Sequence, residues 1–322
     1  MPSGLTHILL TKKLQDHLPD GDLKNIFAYG SVSLQVGAIA PDIPYASLFD
    51  HDIFRKQSSL ADSFHYNLTN QIALRSLTLL KKMRGVVDDS IHYHIFSFYL
   101  GYISHIFADG IIHPFVRDKV GNYKENKAAH RSLEMQLDVL LIHHYNKKSG
   151  LNFELNFMNI HDELSDFTST VDTISLIQTF SNLIYDVYNV HFANNEILEW
   201  IEGLHRMFNI AEGSFPAFAR NSLLNTLFYR NYDDIDKDEI LNLNKPKDRL
   251  DNFLKIENVN FIDDCLPQFF SKYIETAQKA YEFVYMDGSP LCDIEIPMIN
   301  LDTGRHINNN ILDEVPILWI NN

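Results

Sequence analysis

The stretch IHYHIFSFYLGYISHIFADGIIHPFV, from Ile91 to Val116, decides the fold. It is the longest apolar run in the chain, yet His92, His94, His105, Asp109 and His113 interrupt it. Ionisable side chains at that density make a bilayer span too costly, so the run predicts a helix buried inside a globular protein. Asp88-Asp89-Ser90 immediately before it is a helix-start signal. Gly110 and Pro114 are expected to end or kink the helix, because the residue before a proline is pushed out of the α region. On this helix His105, Asp109 and His113 follow one another at intervals of four residues. Each interval advances the helix by about 400°, or about 40° beyond a full turn, so all three side chains project from one broad face. The rise is about 6 Å per interval and about 12 Å between the two histidines. Zinc–nitrogen bonds are only about 2 Å long, so His105 and His113 should not share an ion. The spacing suggests neighbouring metals, with Asp109 between them as a bridging carboxylate.

Helical patterns also flank this run. An amphipathic segment covers Thr6 to Leu18, and Asp20-Gly21-Asp22 turns the chain into a second short helix. Val36 to Pro44 carries two prolines and one glycine in nine residues and reads as a tight loop leaving a helix. Ser59 to Met83 reads as one helical pattern ending near Gly85, and a further helix is predicted from Lys127 to Tyr145. Residues 146–159 are polar and ambiguous, with a short strand possible at 153–157, and more helices are predicted at 161–189, 194–210, 215–229 and 263–285. After Asp287-Gly288 come Pro290, Pro297 and Pro316, so the tail is expected to be extended and packed on the surface. The expected architecture is all-α: one multi-helix domain over residues 1–288, with a C-terminal tail over 289–322 packed on it. The residues suited to chemistry all lie in the first 140 positions.

Composition narrows the choice of function. Hydrophobic residues at 45% and charged residues at 21% are ordinary for a globular protein, and 322 residues suffice for a sizeable core. Only 13 glycines and 11 prolines occur, which favours helices joined by short turns. The formal charge is 27 − 42 = −15, which disfavours non-specific affinity for nucleic acid and for anionic membranes. Cys265 and Cys292 form neither a CxxC pair nor a disulfide framework. No basic stretch followed by an apolar core opens the chain. A reducing, cytoplasmic location is therefore expected, in which the sequon Asn67-Leu68-Thr69 carries no meaning. Seven of the 15 histidines lie from His51 to His130, mixed with apolar residues rather than in a polar tract. Buried histidines need partners, and a metal is one such partner.

A second pair, His130 and Glu134, offers an imidazole and a carboxylate from one helix face, and Asp138 continues that face a turn later. Histidine with carboxylate suits an open, catalytic zinc site better than a closed structural one. His7, Asp42 beside Pro41, and His65 complete the candidates. Each has a plainer reading: His7 and His65 as hydrogen-bonded histidines, Asp42 as a turn residue or cap, His130 with Glu134 as a solvated i,i+4 pair. His105-x3-Asp109-x3-His113 resists such a reading, because its neighbours are apolar and a buried carboxylate needs strong partners.

Taken in order, Thr6-His7, Gly37-Ala38-Ile39-Ala40-Pro41-Asp42, Phe64-His65-Tyr66, Gly101 to Pro114, and His130-Arg131-Ser132-Leu133-Glu134 resemble the zinc-dependent phospholipase C family, which is related to the single-strand-specific zinc nucleases. The resemblance spans about residues 1 to 145 and, more loosely, the helical remainder. It implies an all-α domain with a zinc cluster at the base of a cleft. Asp42, His65, His105 and Asp109 would hold one ion, His113, His130 and Glu134 a second, and His7, Asp109 and the chain's own N-terminus a third. The secreted members begin with a tryptophan, whereas the processed start here would be Pro2, which leaves two or three ions open. The short Asp109-x3-His113 interval is similar to the intracellular branch. The implied activity is hydrolysis of a phospholipid or other phosphodiester by a metal-activated water, with Asp42 to orient or deprotonate that water.

Three rivals stand beside this reading. A nuclease of the related branch would act on single-stranded nucleic acid, but net acidity and the lack of stacking aromatics beside basic residues argue against it. An HD-type phosphohydrolase would use His51-Asp52, and would leave Asp109, His113, His130 and Glu134 unexplained. A non-catalytic metal-binding helical protein would keep the ligands without turnover.

Overall fold

Thirty-two consecutive residues, Asp89–Val120, form a single helix at the centre of the molecule. The computed structural model describes residues 4–46, 51–149, 167, 171–212, 229–243 and 260–307. Within these, the helices are α1 (Gly4–His17), α2 (Asp22–Tyr29), α3 (Ser31–Ile39), α4 (His51–Tyr66), α5 (Gln71–Met83), α6 (Asp89–Val120), α7 (Tyr123–Ser149), α8 (Val171–Tyr188), α9 (Asn194–Glu212), the short α10 (Lys237–Leu241) and α11 (Leu266–Tyr285). The fold is all-α, and the predicted strand at 153–157 and all but the last residue of the predicted helix at 215–229 lie outside the described residues. So do the side chains of His51 and Asp52.

Helix α6 is apolar around its whole circumference, which is the pattern of a helix enclosed on every side. It is long and apolar enough to cross a membrane, but its most apolar window is entirely buried within the protein. Helices α1, α2, α3, α5, α7, α8 and α11 all pack against it. The closest crossing is with α3, where Gly37 faces Phe98 and Gly101 faces Leu34. A Cβ at Gly37 would lie 1.9 Å from the Phe98 carbonyl oxygen, and one at Gly101 would lie 2.1 Å from the Leu34 carbonyl oxygen. Only residues without a side chain let the two backbones approach this far.

The structure departs from the sequence expectations in three helices. Pro114 sits inside α6 and does not end it. A proline within a helix costs about 3 kcal/mol. Ile111, Ile112, Phe115 and Val116, on either side of it, are each no more than 1% exposed. Burying one such side chain is worth about 1.5–3 kcal/mol, so packing outweighs the proline. The segment expected to be a loop from Val36 is helical up to Ile39, and the chain turns only afterwards, through a 3-10 helix at Ile43–Ala46. The pattern read as one helix over Ser59–Met83 is two, α4 and α5. Between them Leu68 takes φ 52°. The polar groups of this turn find tertiary partners: Tyr188 Oη donates to the Asn67 carbonyl at 3.0 Å, Thr69 Oγ1 to Ile299 at 2.8 Å, and Asn70 Nδ2 to Ile296 at 2.8 Å.

Those last two bonds bring in the tail. Its described part ends at Ile307; beyond a 3-10 helix at Leu291–Asp293 that part is irregular, with an antiparallel bridge between Ile299 and His306, and the rest of the tail, Pro316 included, lies outside the described residues. The described part is not confined to the surface, as Ile299, Asn300, Leu301, Asp302 and Thr303 are all buried.

Candidate metal centre

All eight residues singled out in the sequence are buried: His7, Asp42, His65, His105, Asp109, His113, His130 and Glu134. Helix α6 supplies His105, Asp109 and His113, α1 supplies His7, α4 supplies His65 near its C-terminus, and α7 supplies His130 and Glu134. Asp42 lies in the turn after α3, where its carbonyl accepts from the Tyr45 amide at 3.0 Å. Its main chain therefore has the turn role of the plainer reading, while its side chain faces His65.

Asp109 is the centre of the arrangement. One oxygen, Oδ1, lies 3.2 Å from His7 Nε2 and 3.7 Å from His113 Nε2. The other, Oδ2, lies 3.2 Å from His105 Nε2 and 3.6 Å from His65 Nε2. The two oxygens thus face different pairs of imidazoles, as a bridging carboxylate requires. Asp42 Oδ1 lies 3.2 Å from His65 Nε2. The His7 and His105 rings stack with centroids 4.2 Å apart. Among the described residues, His7, Asp42 and His105, and likewise His65, His105 and Asp109, bring their ligand atoms within 4.8 Å of one another. His113 approaches through Asp109, whereas His130 and Glu134 enter neither group.

Ring orientation follows from main-chain acceptors. His65 Nδ1 lies 2.7 Å from the Ala61 carbonyl and His105 Nδ1 lies 2.8 Å from the Ala38 carbonyl. A carbonyl oxygen has no proton to give, so each Nδ1 must carry the hydrogen. In the neutral rings both Nε2 atoms are then lone pairs, and they face each other at 3.3 Å. Two lone pairs at that distance repel unless a proton or a metal ion lies between them. His130 has the opposite tautomer: its Nε2 donates to the Gly121 carbonyl at 2.6 Å, which leaves the lone pair on Nδ1.

Charge in the centre points the same way. Burial alone would lower His105, but the carboxylates of Asp109 and Asp42 overcome it and raise the imidazole to about 9. Burial opposes ionisation of Asp109, yet His105 and His113 hold it well below the usual carboxylate range. A field that keeps a proton on a fully buried imidazole also favours a divalent cation. Burial instead lowers His7 and His113, lowers His130 to about 4 and raises Glu134 to about 7.

The donor set fits zinc. Both nitrogens of His7, His113 Nε2, both oxygens of Asp109, Asp42 Oδ1 and His130 Nδ1 are buried and make no hydrogen bond to a described residue. So many unsatisfied polar atoms around one carboxylate would be costly in a closed core. Imidazole nitrogens and carboxylate oxygens are the ligands of catalytic zinc. The carbonyls of Ala61, Ala38 and Gly121 fix the rings of His65, His105 and His130 by hydrogen bonds of the kind that orient metal-ligating histidines.

Two further groups shape the centre. Asp138 accepts from Thr6 Oγ1 at 2.6 Å and from Tyr229 Oη at 3.1 Å, and thereby anchors the helix that carries His7. Replacing Thr6 with valine removes a buried bond to a carboxylate and should cost about 1.5–3 kcal/mol. Urea denaturation measures this as a lower midpoint at unchanged slope; a midpoint equal to wild type would show that this bond does not hold α1.

The second group is one that reading the sequence missed. Asp302, from the tail, places Oδ1 3.5 Å from His113 Nδ1 and forms an ion pair with Arg117. Burial opposes its ionisation, but His113 and Arg117 hold it down at about 2. The charged groups that face the centre are therefore not confined to the first 140 positions. Asn300-Leu301-Asp302-Thr303-Gly304 does read as a turn, and Asn300 Oδ1 accepts from the Asp302 and Thr303 amides at 2.9 and 3.1 Å. Nothing in that pattern says where the turn will dock.

No curated protein and no solved structure matches the chain. The model of the family described as zinc dependent phospholipase C does match it, over residues 6–207. That span contains all eight residues singled out in the sequence, and the chain belongs to the zinc-dependent phospholipase C family.

Proposed function

We propose that the chain is a metal-dependent phosphodiester hydrolase of the phospholipase C type. His7, Asp42, His65, His105, Asp109, His113, His130 and Glu134 would hold two or three zinc ions, and a phospholipid is the substrate class that family membership favours. The observation that carries the reading is the pair of Nε2 atoms of His65 and His105 facing each other at 3.3 Å, with Asp42 and Asp109 beside them. Zinc bound there would supply Lewis acidity toward the phosphoryl oxygens and make water a nucleophile near neutral pH.

The chain's own residues prepare that chemistry. Asp109 sets its two oxygens toward different imidazole pairs, so positions on either side of it share one negative charge. Main-chain carbonyls fix the rings of His65, His105 and His130, so these need no reorganisation on binding. Asp42, at 6%, is the most exposed of the eight. It is the carboxylate best placed to orient an incoming water or take its proton. No serine or cysteine nucleophile is required.

Purified protein prepared without chelator should contain two or three zinc ions per chain and hydrolyse phosphatidylcholine. Chelation should abolish turnover and added zinc should restore it. Single-stranded DNA assayed beside the lipid separates the related nuclease reading. Preference for DNA, or zinc binding without turnover of any phosphodiester, would overturn the proposal.

A further inference from the structure

We propose that Asp302 is a positioning residue of the metal centre, and that the tail segment around it forms a wall of the site. The inference rests on the metal-dependent reading above, and it concerns residues well beyond the matched region that ends at 207. Three observations carry it. The His113 ring lies between two carboxylates, with Nε2 toward Asp109 at 3.7 Å and Nδ1 toward Asp302 at 3.5 Å. This is the order carboxylate, histidine, metal position, in which the outer carboxylate accepts a hydrogen bond from Nδ1–H and the Nε2 lone pair is left directed inward.

Asp302 is itself held in place. Arg117, one turn after His113 on α6, pairs with its other oxygen, and Asn300 Oδ1 accepts its backbone amide at 2.9 Å. The carboxylate is 4% exposed, so its charge acts on His113 with little screening by water.

The same segment grips a second residue of the site. The Leu301 amide donates to the His65 carbonyl at 2.9 Å, which satisfies one of the last carbonyls of α4. Three and four residues after the end of α4, Thr69 and Asn70 donate to the Ile299 and Ile296 carbonyls. One stretch of tail therefore fixes His65 through its backbone and His113 through its ring.

The test is Asp302→Asn in the full-length chain, with Asp293→Asn, on the exposed 3-10 turn of the same tail, as control. Zinc affinity is measured by competition with a chromogenic chelator. The ligand field is read from the visible spectrum of the cobalt-substituted protein. Asp302→Asn should weaken binding by about 10- to 100-fold and change the cobalt spectrum. Asp293→Asn should do neither. A purely structural tie would alter the urea midpoint without moving the spectrum, and that outcome overturns the inference. A wild-type chain that takes no zinc overturns the functional reading and this inference together. A wild-type chain that takes zinc, with Asp302→Asn indistinguishable from it, overturns this inference alone. Should Asp302→Asn fail to fold, the imidazole nitrogen shifts of His113 in the zinc-loaded wild type decide the matter. A proton on Nδ1 supports the assignment, and a proton on Nε2 overturns it.

Discussion

Replacing Asp109 with asparagine is expected to weaken zinc binding by at least about 100-fold and to remove phosphodiester hydrolysis with it. Loss of an outer partner of a metal ligand costs about 10- to 100-fold, and Asp109 is no outer partner. Its oxygens lie within 3.7 Å of the Nε2 atoms of four histidines on three helices, and its side chain has no exposed surface. Asparagine keeps the volume but removes the charge, and it points an amide N–H₂ at imidazoles that should present lone pairs. Asp42 would then be the carboxylate left beside His65. Zinc content after dialysis and kcat/KM on a lipid substrate measure the two losses, and the urea midpoint shows whether the chain still folds. A variant that keeps full metal and full activity would refute the bridging role.

Gly37→Ala should be strongly destabilising. The added Cβ would stand 1.9 Å from the Phe98 carbonyl oxygen and 2.7 Å from its carbon, both main-chain atoms of α6. A clashing side chain can change rotamer, but a helix backbone cannot, so α3 and α6 must separate. Overpacking typically costs about 1–3 kcal/mol, and a backbone clash belongs at or above the top of that range. The separation also reaches the chemistry. His105 Nδ1 donates to the Ala38 carbonyl at 2.8 Å, and Asp42 follows a few residues after. Stability and zinc affinity should therefore fall together, measured by urea denaturation and by chelator competition. Stability within about 0.5 kcal/mol of wild type would mean that the crossing is looser than described.

The sequence by itself determined whatever depends on local geometry. The i, i+4, i+8 placement of His105, Asp109 and His113 follows from 3.6 residues per turn once the segment is helical, and its apolar surroundings made helix and burial legible. The positions of α1 and α9 to within two residues, and the end of α11, followed from the same periodicity and from turn residues such as Asp287-Gly288. The tertiary structure overrode local signals wherever buried contacts outweighed them. Pro114 stays helical because its neighbours are enclosed, and the chain breaks between α4 and α5 where Tyr188 and the tail bind the turn. Tautomers, too, were set by carbonyls of Ala38 and Gly121 that no spacing announces. Asp302 is the clearest case. Its approach to His113 closes a loop of nearly two hundred residues, and such a contact has no period to betray it. Which carboxylate arrives at a buried histidine from that distance is settled only when the whole core packs, because its free energy resides in tertiary burial and charge pairing and not in the conformation of either segment alone.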